Sequence, residues 1–166
     1  MKKIFVSIIL LAAILCMSVS PVFATEPEPT VVQYEDGSTV VYFDDGSTLT
    51  YSPVKVIEEQ VSPYVTVQTK NAYKEAKFTN TNGTVEWVYT LTASFTYVEG
   101  LSCKCTSATY TKTIYDNNWT FSNGSATFND RTAYGKGHFT KKLLGITVKN
   151  YDIDITIKCD TYGVTT

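Results

Sequence analysis

Apolar and polar residues alternate with a period of two over long stretches of the second half of the chain. In residues 84–98, Trp87, Leu91 and Phe95 share one face, whereas Glu86 and several threonines occupy the other. A period of two predicts a half-buried β-strand. The same alternation near the end of the chain places on one face Tyr151, Ile153, Ile155, Ile157 and Cys159.

Turn residues punctuate these alternating runs. Asn82-Gly83, Glu99-Gly100 and Leu144-Gly145 mark turns between runs, and Asn123-Gly124 is predicted to join two short strands. No segment has the pattern of a helix of normal length. Many strands with frequent turns predict an all-β fold, an antiparallel β-sandwich, with an immunoglobulin-like one as an option. The strands are expected at residues 73–79, 84–98, 101–115, 119–122, 125–129, 132–142 and 146–159.

A short repeat precedes this region. Asp36-Gly37-Ser38-Thr39 recurs nine residues later as Asp45-Gly46-Ser47-Thr48. Asp-Gly between β-rich runs is a hairpin signal, because glycine adopts positive φ without steric cost. The repeat therefore predicts a small β-meander, and its spacing does not fit a calcium loop. Residues 52–63, which include Glu58, Glu59 and Gln60, are interpreted as a linker or a short helical turn.

The first residues have the pattern of a secretory signal peptide. Lys2 and Lys3 precede an apolar run over residues 4–17, and cleavage is expected after Ala24. The run is shorter than the ~20 residues of a membrane span. Cys16 is not expected to be lipidated, because Leu15 stands where a lipobox needs a small residue. We expect a secreted, extracellular protein with no stable membrane anchor.

The charge divides the remaining chain into two parts. Residues 25–63 contain eight acidic residues and one lysine, whereas residues 64–166 contain eight acidic and eleven basic residues. We therefore predict three segments: the signal peptide at 1–24, an acidic β-hairpin arm with its linker at 25–63, and a β-sandwich domain at 64–166. The arm is expected to be separable and protease-sensitive, and the body is expected to fold alone.

Three cysteines follow the signal peptide: Cys103, Cys105 and Cys159. Outside the cell the usual partner of a cysteine is another cysteine. Cys103 and Cys105 are two residues apart on one strand, where a direct bridge is strained. Cys159 ends a strand on its inward face and Cys105 lies inside an earlier strand, so we predict a disulfide between these two, which leaves Cys103 over. Trp119 lies between the bridged pair, in an order similar to that of immunoglobulin-like sandwiches.

No catalytic or metal site is expected. His138, the single histidine, follows Gly135 and Gly137 and is expected at the surface or rim and not in catalysis. Together with the three cysteines it makes a Cys₃His set, but without the usual spacing of a zinc site. No serine-nucleophile motif is present, and Asp152 and Asp154 are assigned to the solvated face of their strand. We predict no catalytic residue, metal or cofactor.

Lysines cluster around residues 132–150. Lys136, Lys141, Lys142 and Lys149 are interpreted as an ordinary solvated face, or as a surface for an acidic partner such as the arm. A sequence pI of about 5.4 disfavours nucleic-acid binding.

Several motifs resemble those of a family of small, uncharacterised, secreted β-rich proteins of Gram-positive bacteria. They are Cys105-Thr106-Ser107-Ala108, the run 113–119 that ends in Trp119, the runs 142–148 and 155–159, and Val85-Glu86-Trp87. The resemblance covers residues 71–163. It implies a disulfide between Cys105 and Cys159 and a structural role for the tryptophans, but no activity.

These observations favour a non-enzymatic protein that binds an extracellular glycan, a cell-wall polymer or another protein. The rival interpretation is a secreted effector or toxin-like protein with an acidic shielding arm. A third is an enzyme that uses His138 and an unpaired thiol. Trp87 is expected to be largely buried, and Trp119 at least half buried, because large aromatic residues contribute heavily to a core of this size.

Overall fold

The computed structural model of the chain describes residues 28–60 and 67–166. The predicted signal peptide and the predicted boundary at residue 63 lie outside these ranges. The described residues form antiparallel strands, and no helix among them is long and apolar enough to cross a membrane. The strands are β1 Thr30–Gln33, β2 Thr39–Tyr42, β3 Thr48–Tyr51, β4 Lys55–Gln60, β5 Gln68–Thr79, β6 Val85–Val98, β7 Ser102–Ile114, β8 Trp119–Asn129, β9 Thr132–Leu143 and β10 Ile146–Lys158.

The strands form two sheets that pack face to face. The larger sheet has the order β1-β2-β3-β5-β6-β7, with β4 beside β3 on the same edge of β5. The smaller sheet has the order β10-β9-β8. This confirms the all-β antiparallel sandwich. An immunoglobulin-like topology remains unconfirmed, because strand order in both sheets follows chain order, whereas immunoglobulin sandwiches use Greek-key connections.

The core lies between the two sheets and follows the predicted alternation. Trp87 on β6 is fully buried, and its ring stacks on Phe139 of β9 at 3.9 Å between centroids. Trp119 on β8 is also buried, with its ring centroid 6.0 Å from that of Trp87 and the ring planes at 76°. The predicted burial of both tryptophans is confirmed. The inward residues of β10 that close the core are Ile153, Ile155 and Ile157.

The segment around Asn123-Gly124 is a bulge and not a turn. β8 runs unbroken from Trp119 to Asn129, and its register with β9 shifts between Ser122 and Ser125. Asn123 has a φ of 53°, in the left-handed region that asparagine tolerates. The prediction of two short strands joined here was wrong, because Asn-Gly suits a bulge as well as a hairpin turn.

Residues 55–60 form strand β4, and not a linker or helical turn. β5 is 12 residues long, and β3 covers only its last part. β4 pairs with the rest of that edge, with Lys55 opposite Tyr73 and Gln60 opposite Thr69. The β-branched pair Val56-Ile57 suits this conformation.

The acidic arm continues the larger sheet. Its two Asp-Gly turns form as predicted, with φ of 82° at Gly37 and 81° at Gly46. β3 then pairs with β5, and Leu49 is buried in the core at 4% exposure. The arm therefore shares both a sheet and a core with the body, whereas the sequence left open whether the arm docks on the body or stays loose. The shared sheet and core argue against the separable arm that the sequence predicted, and a truncated chain tests the point.

Glycines on β9 make room for aromatic rings. The strand predicted at residues 132–142 is confirmed as β9, which includes Gly135 and Gly137. A Cβ atom built on Gly137 would lie 2.4 Å from Cε2 of Phe121, and one on Gly135 would lie 2.9 Å from the hydroxyl oxygen of Tyr89. The glycines are therefore needed for close packing.

Replacing Gly137 with alanine is expected to lower the free energy of unfolding by about 1–3 kcal/mol, the usual cost of overpacking. Urea denaturation measures this change. The matched test is the double variant Gly137→Ala/Phe121→Ala. Its loss of unfolding free energy should be smaller than the sum of the losses in the two single variants. Strict additivity would contradict a clash between these residues.

Candidate functional site

The β9–β10 hairpin ends in an exposed apolar surface, which we call the hairpin tip. Leu143 pairs with Ile146 across the turn, and Leu144-Gly145 form its two central residues. Both have positive φ, 51° and 83°, as in a type I′ hairpin turn. Contiguous exposed apolar residues are more informative than single ones. The hairpin tip consists of Leu143, Leu144, Gly145, Ile146 and Val148, and its four apolar side chains are all exposed.

Leu144 has an unfavourable backbone conformation. The first central position of this turn favours asparagine, aspartate or glycine, and a leucine there costs about 1 kcal/mol. Its side chain is fully exposed, at 103%. Packing within the chain therefore does not offset the cost, and local stability does not explain a leucine at this position.

The hairpin tip borders two depressions. The first, the tip cleft, has a volume of about 350 Å³ and lies between the tip, the β2–β3 turn and the β5–β6 turn. The second, the arm groove, has a volume of about 500 Å³ and runs between β10 and the arm. Val148, Lys149 and Asp45 line both. The rest of the tip cleft is lined by Ser47, Phe78, Asn80, Thr81, Glu86, Lys141 and Leu143.

A network of charged groups forms one wall of the tip cleft. Glu86 is buried at 5% exposure, and Lys141 Nζ donates to its two carboxylate oxygens at 2.9 and 2.8 Å. Lys141 Nζ also lies 3.0 Å from Asp116 Oδ2. Trp119 Nε1 donates to Glu86 Oε2 at 2.7 Å, and Asn80 Nδ2 donates to Oε1 at 3.1 Å. The network thus joins both sheets at the base of the hairpin.

The network keeps its members charged. Burial favours a higher pKa for Glu86, but hydrogen bonds from Lys141, Trp119 and Asn80 outweigh it and hold that pKa below its ordinary value. Burial likewise opposes the charged form of Lys141, yet Glu86 and Asp116 raise the pKa of Lys141 above its ordinary value. Lys141 is therefore a neutralised structural cation and not part of a solvated lysine face.

Sequence reasoning missed this network. Glu86 has the phase of an outward residue on β6, so alternation assigned it to solvent. The loop after β7 covers it instead, because the backbone N–H groups of Tyr115 and Asp116 donate to the carbonyl oxygen of Glu86 at 2.8 and 3.3 Å. No signal in the alternation indicates that contact.

A second ion pair links the hairpin to the arm. Lys149 Nζ contacts Asp45 Oδ2 in the β2–β3 turn and donates to Ser47 Oγ at 3.2 Å. Burial opposes the charged form of Asp45, but hydrogen bonds from Lys149 and Ser47 lower its pKa to about 2. The arm is thus the acidic partner of this lysine. Of the other two predicted lysines, Lys136 pairs with exposed Asp154 at 3.4 Å, and Lys142 is exposed.

His138 is partly exposed, with its side chain at 30% exposure. Its Nδ1 lies 2.7 Å from Oδ1 of Asp152, the residue opposite it on β10. Asp152 and Asp154 lie on the solvated face, as expected, with side-chain exposures of 89% and 64%. Across residues 28–60 and 67–166, no three His, Cys, Asp or Glu side chains are placed to share a metal ion.

The three cysteines are buried thiols. The thiols of Cys103 and Cys159 are close enough for each to influence the pKa of the other. The thiol of Cys159 donates to the carbonyl oxygen of Asp160 at 3.5 Å, and that of Cys105 to the carbonyl oxygen of Ser107 at 3.3 Å. The structure therefore brings Cys103, and not the predicted Cys105, against Cys159. The sequence does not separate the two, because both lie on one face of β7.

Comparisons with protein-family models, curated proteins and solved structures found no match to this chain. The resemblance to small secreted proteins of Gram-positive bacteria, and the pairing of Cys105 with Cys159 that it implies, therefore stay predictions.

Proposed function

We propose that the chain is a secreted, non-enzymatic β-sandwich that binds an extracellular ligand through the hairpin tip. The observation that supports this is Leu144, which is fully exposed in an unfavourable backbone conformation. Burying such a side chain in a complex contributes about 25 cal/mol per Å² of apolar surface removed from water. The ion pairs of Lys141 and Lys149 hold both strands at the base of the tip, so little conformational entropy is lost on binding.

The ligand that fits this tip best is a protein. Cell-wall polymers and glycans are rich in hydroxyl and charged groups, with which aliphatic side chains form no hydrogen bonds. A protein partner offers an apolar pocket, and a protruding leucine can act as an anchor at the centre of an interface. Exposed Lys142 beside the tip suits acidic residues at the rim of that pocket.

Leu144→Asn is expected to weaken binding at least tenfold while it leaves stability unchanged or raises it by up to about 1 kcal/mol, because asparagine tolerates positive φ. The matched control is Leu101→Asn, since Leu101 is another exposed leucine at a turn, at 78% exposure. Immobilised wild-type and variant proteins are tested against secreted proteins, purified cell wall and glycan arrays. Any captured protein is then purified and its affinity measured directly.

Loss of affinity for that purified protein in Leu144→Asn, but not in Leu101→Asn, supports the proposal. If wild type, Leu144→Asn and Leu101→Asn bind the purified protein with equal affinity, the binding surface lies elsewhere. Retention on cell wall or a glycan that neither substitution weakens would overturn the choice of a protein ligand. Failure to bind any of these targets would contradict a binding function.

The contact of Lys149 with Asp45 supports a second candidate, an effector that its arm shields. The arm covers the base of the hairpin through this pair. If the arm inhibits, Asp45→Asn should loosen it and increase growth inhibition of target cells relative to wild type. If neither wild type nor Asp45→Asn inhibits growth, this alternative is contradicted.

A further inference from the structure

The last residues of the chain fold back onto the larger sheet. Lys158 and Thr166 exchange two backbone hydrogen bonds at 2.8 and 2.9 Å, which places the C-terminal residues beside the end of β10. The backbone N–H of Gly100 donates to the carbonyl oxygen of Thr161 at 3.0 Å. The turn at residues 160–163 therefore lies against the β6–β7 turn, where β7 begins.

This fold brings Cys159 to the first cysteine of β7. Cys103 lies opposite Tyr97 in the register of β6 and β7, and the ring of Tyr97 packs against Gly163 so closely that a Cβ atom there would lie 2.6 Å away. Cys103 and Cys159 are both buried, and their thiols are neighbours that influence each other's pKa. Cys105, two residues further from the turn, directs its thiol to Ser107 instead.

We propose that Cys103 and Cys159 form a disulfide in the exported protein and that Cys105 remains a buried thiol. The inference rests on the export included in the proposed function, because the bond needs an oxidising compartment. Each thiol loses a proton, an Sγ–Sγ bond forms, and the two electrons reduce the disulfide of an exchange partner to two thiols. The bond would fasten residues 159–166 to the larger sheet.

The bond forms while the chain folds and not afterwards. Burial, and after it the neighbouring Cys103 thiol, raise the pKa of the Cys159 thiol to about 12. Only the thiolate attacks a disulfide, so the native thiols react slowly at neutral pH. During folding they are accessible and have ordinary acidity.

Trypsin distinguishes the two pairings, because Lys104 separates Cys103 from Cys105. The full-length precursor is expressed in an exporting host, and the secreted protein is alkylated at low pH and digested without reduction. We expect residues 78–104 cross-linked to residues 159–166, with Cys105 alkylated after unfolding. A cross-link between residues 105–112 and 159–166 would overturn the proposal, and so would three alkylated cysteines.

Serine variants give a second readout. Cys103→Ser and Cys159→Ser should each lower the melting temperature of the secreted protein by on the order of 10 °C, whereas Cys105→Ser should keep the cross-link. Dithiothreitol should lower the melting temperature of wild type and Cys105→Ser but not of Cys103→Ser. If dithiothreitol lowers the melting temperature of Cys103→Ser but not that of Cys105→Ser, the assignment is contradicted. Neither the peptide map nor the melting temperature depends on binding by the hairpin tip, so one proposal can fail while the other holds. Absence of the protein from the medium would contradict the export on which both proposals rest.

Discussion

Replacing Glu86 with alanine is expected to lower the free energy of unfolding by about 3–5 kcal/mol. Removal of one partner from a buried ion pair leaves the other charge without compensation, and this is one of the largest effects of a single substitution. Here Lys141 loses its two contacts to Glu86 and keeps only the partly buried Asp116, and the indole N–H of buried Trp119 loses its acceptor. Urea denaturation at neutral pH measures the change.

Asp154→Ala is the matched control, because it removes a carboxylate from a pair with Lys136 in which both side chains are more than half exposed. Exposed pairs contribute about 0–1 kcal/mol. Equal, small effects of both substitutions would show that the Glu86 network adds little to stability.

The difference in unfolding free energy between wild type and Glu86→Ala should depend on pH. The pKa of Glu86 is lowered in the folded protein, so its contribution is fully present above the unfolded pKa of about 4.3 and is lost as the pH falls through the folded pKa. The pKa of Lys141 is raised, so its contribution persists below about pH 10.4 and is lost as the pH rises through its folded pKa. The difference should therefore narrow below about pH 4. A constant difference from pH 2 to pH 7 would contradict this assignment.

A truncated chain that begins at residue 62 is expected not to fold, in contrast to the sequence-based expectation of a body that folds alone. The truncation removes β1–β4, so one edge of the 12-residue strand β5 loses its hydrogen-bonded neighbours. It also exposes Phe78, which packs against Phe43 of the arm at 6.4 Å between ring centroids. Circular dichroism and urea denaturation of the truncated chain provide the test.

Leu49→Ala in the full chain tests the same point with a smaller change. Leu49 is buried at 4% exposure, so the substitution should cost about 2–5 kcal/mol. Val31→Ala, on the outermost strand of the arm at 62% exposure, should cost less than about 0.5 kcal/mol. Cooperative unfolding of the truncated chain, with a negligible effect of Leu49→Ala, would restore the predicted boundary near residue 63.

Alternation and turn residues predicted most of the strands, because each depends on nearby residues. The inward face of β6 and the two Asp-Gly turns of the arm follow directly from such local patterns. The pairing of β3 with β5 does not, since it joins strands that are far apart in sequence. The charge contrast between arm and body marked them as two segments, whereas burial of Leu49 makes them parts of one core.

The candidate site was harder to predict for the same reason. The lysines near the hairpin were recognised, but their partners come from three other elements: Asp45 from the arm, Glu86 from β6 and Asp116 from the loop after β7. The exposure of Leu144 depends on how far the hairpin extends beyond the sandwich. The choice between Cys103 and Cys105 depends on the position of the C-terminal turn.

The two tryptophans give this fold an intrinsic optical signal. Trp87 belongs to the larger sheet and Trp119 to the smaller, and their rings are close and nearly perpendicular. Excited states of indole rings at this separation mix, which gives circular-dichroism bands of opposite sign in the ultraviolet. Neither sheet produces that couplet by itself. Its amplitude therefore reports whether the two sheets are docked, independently of how many residues are in strands, and it needs no attached label.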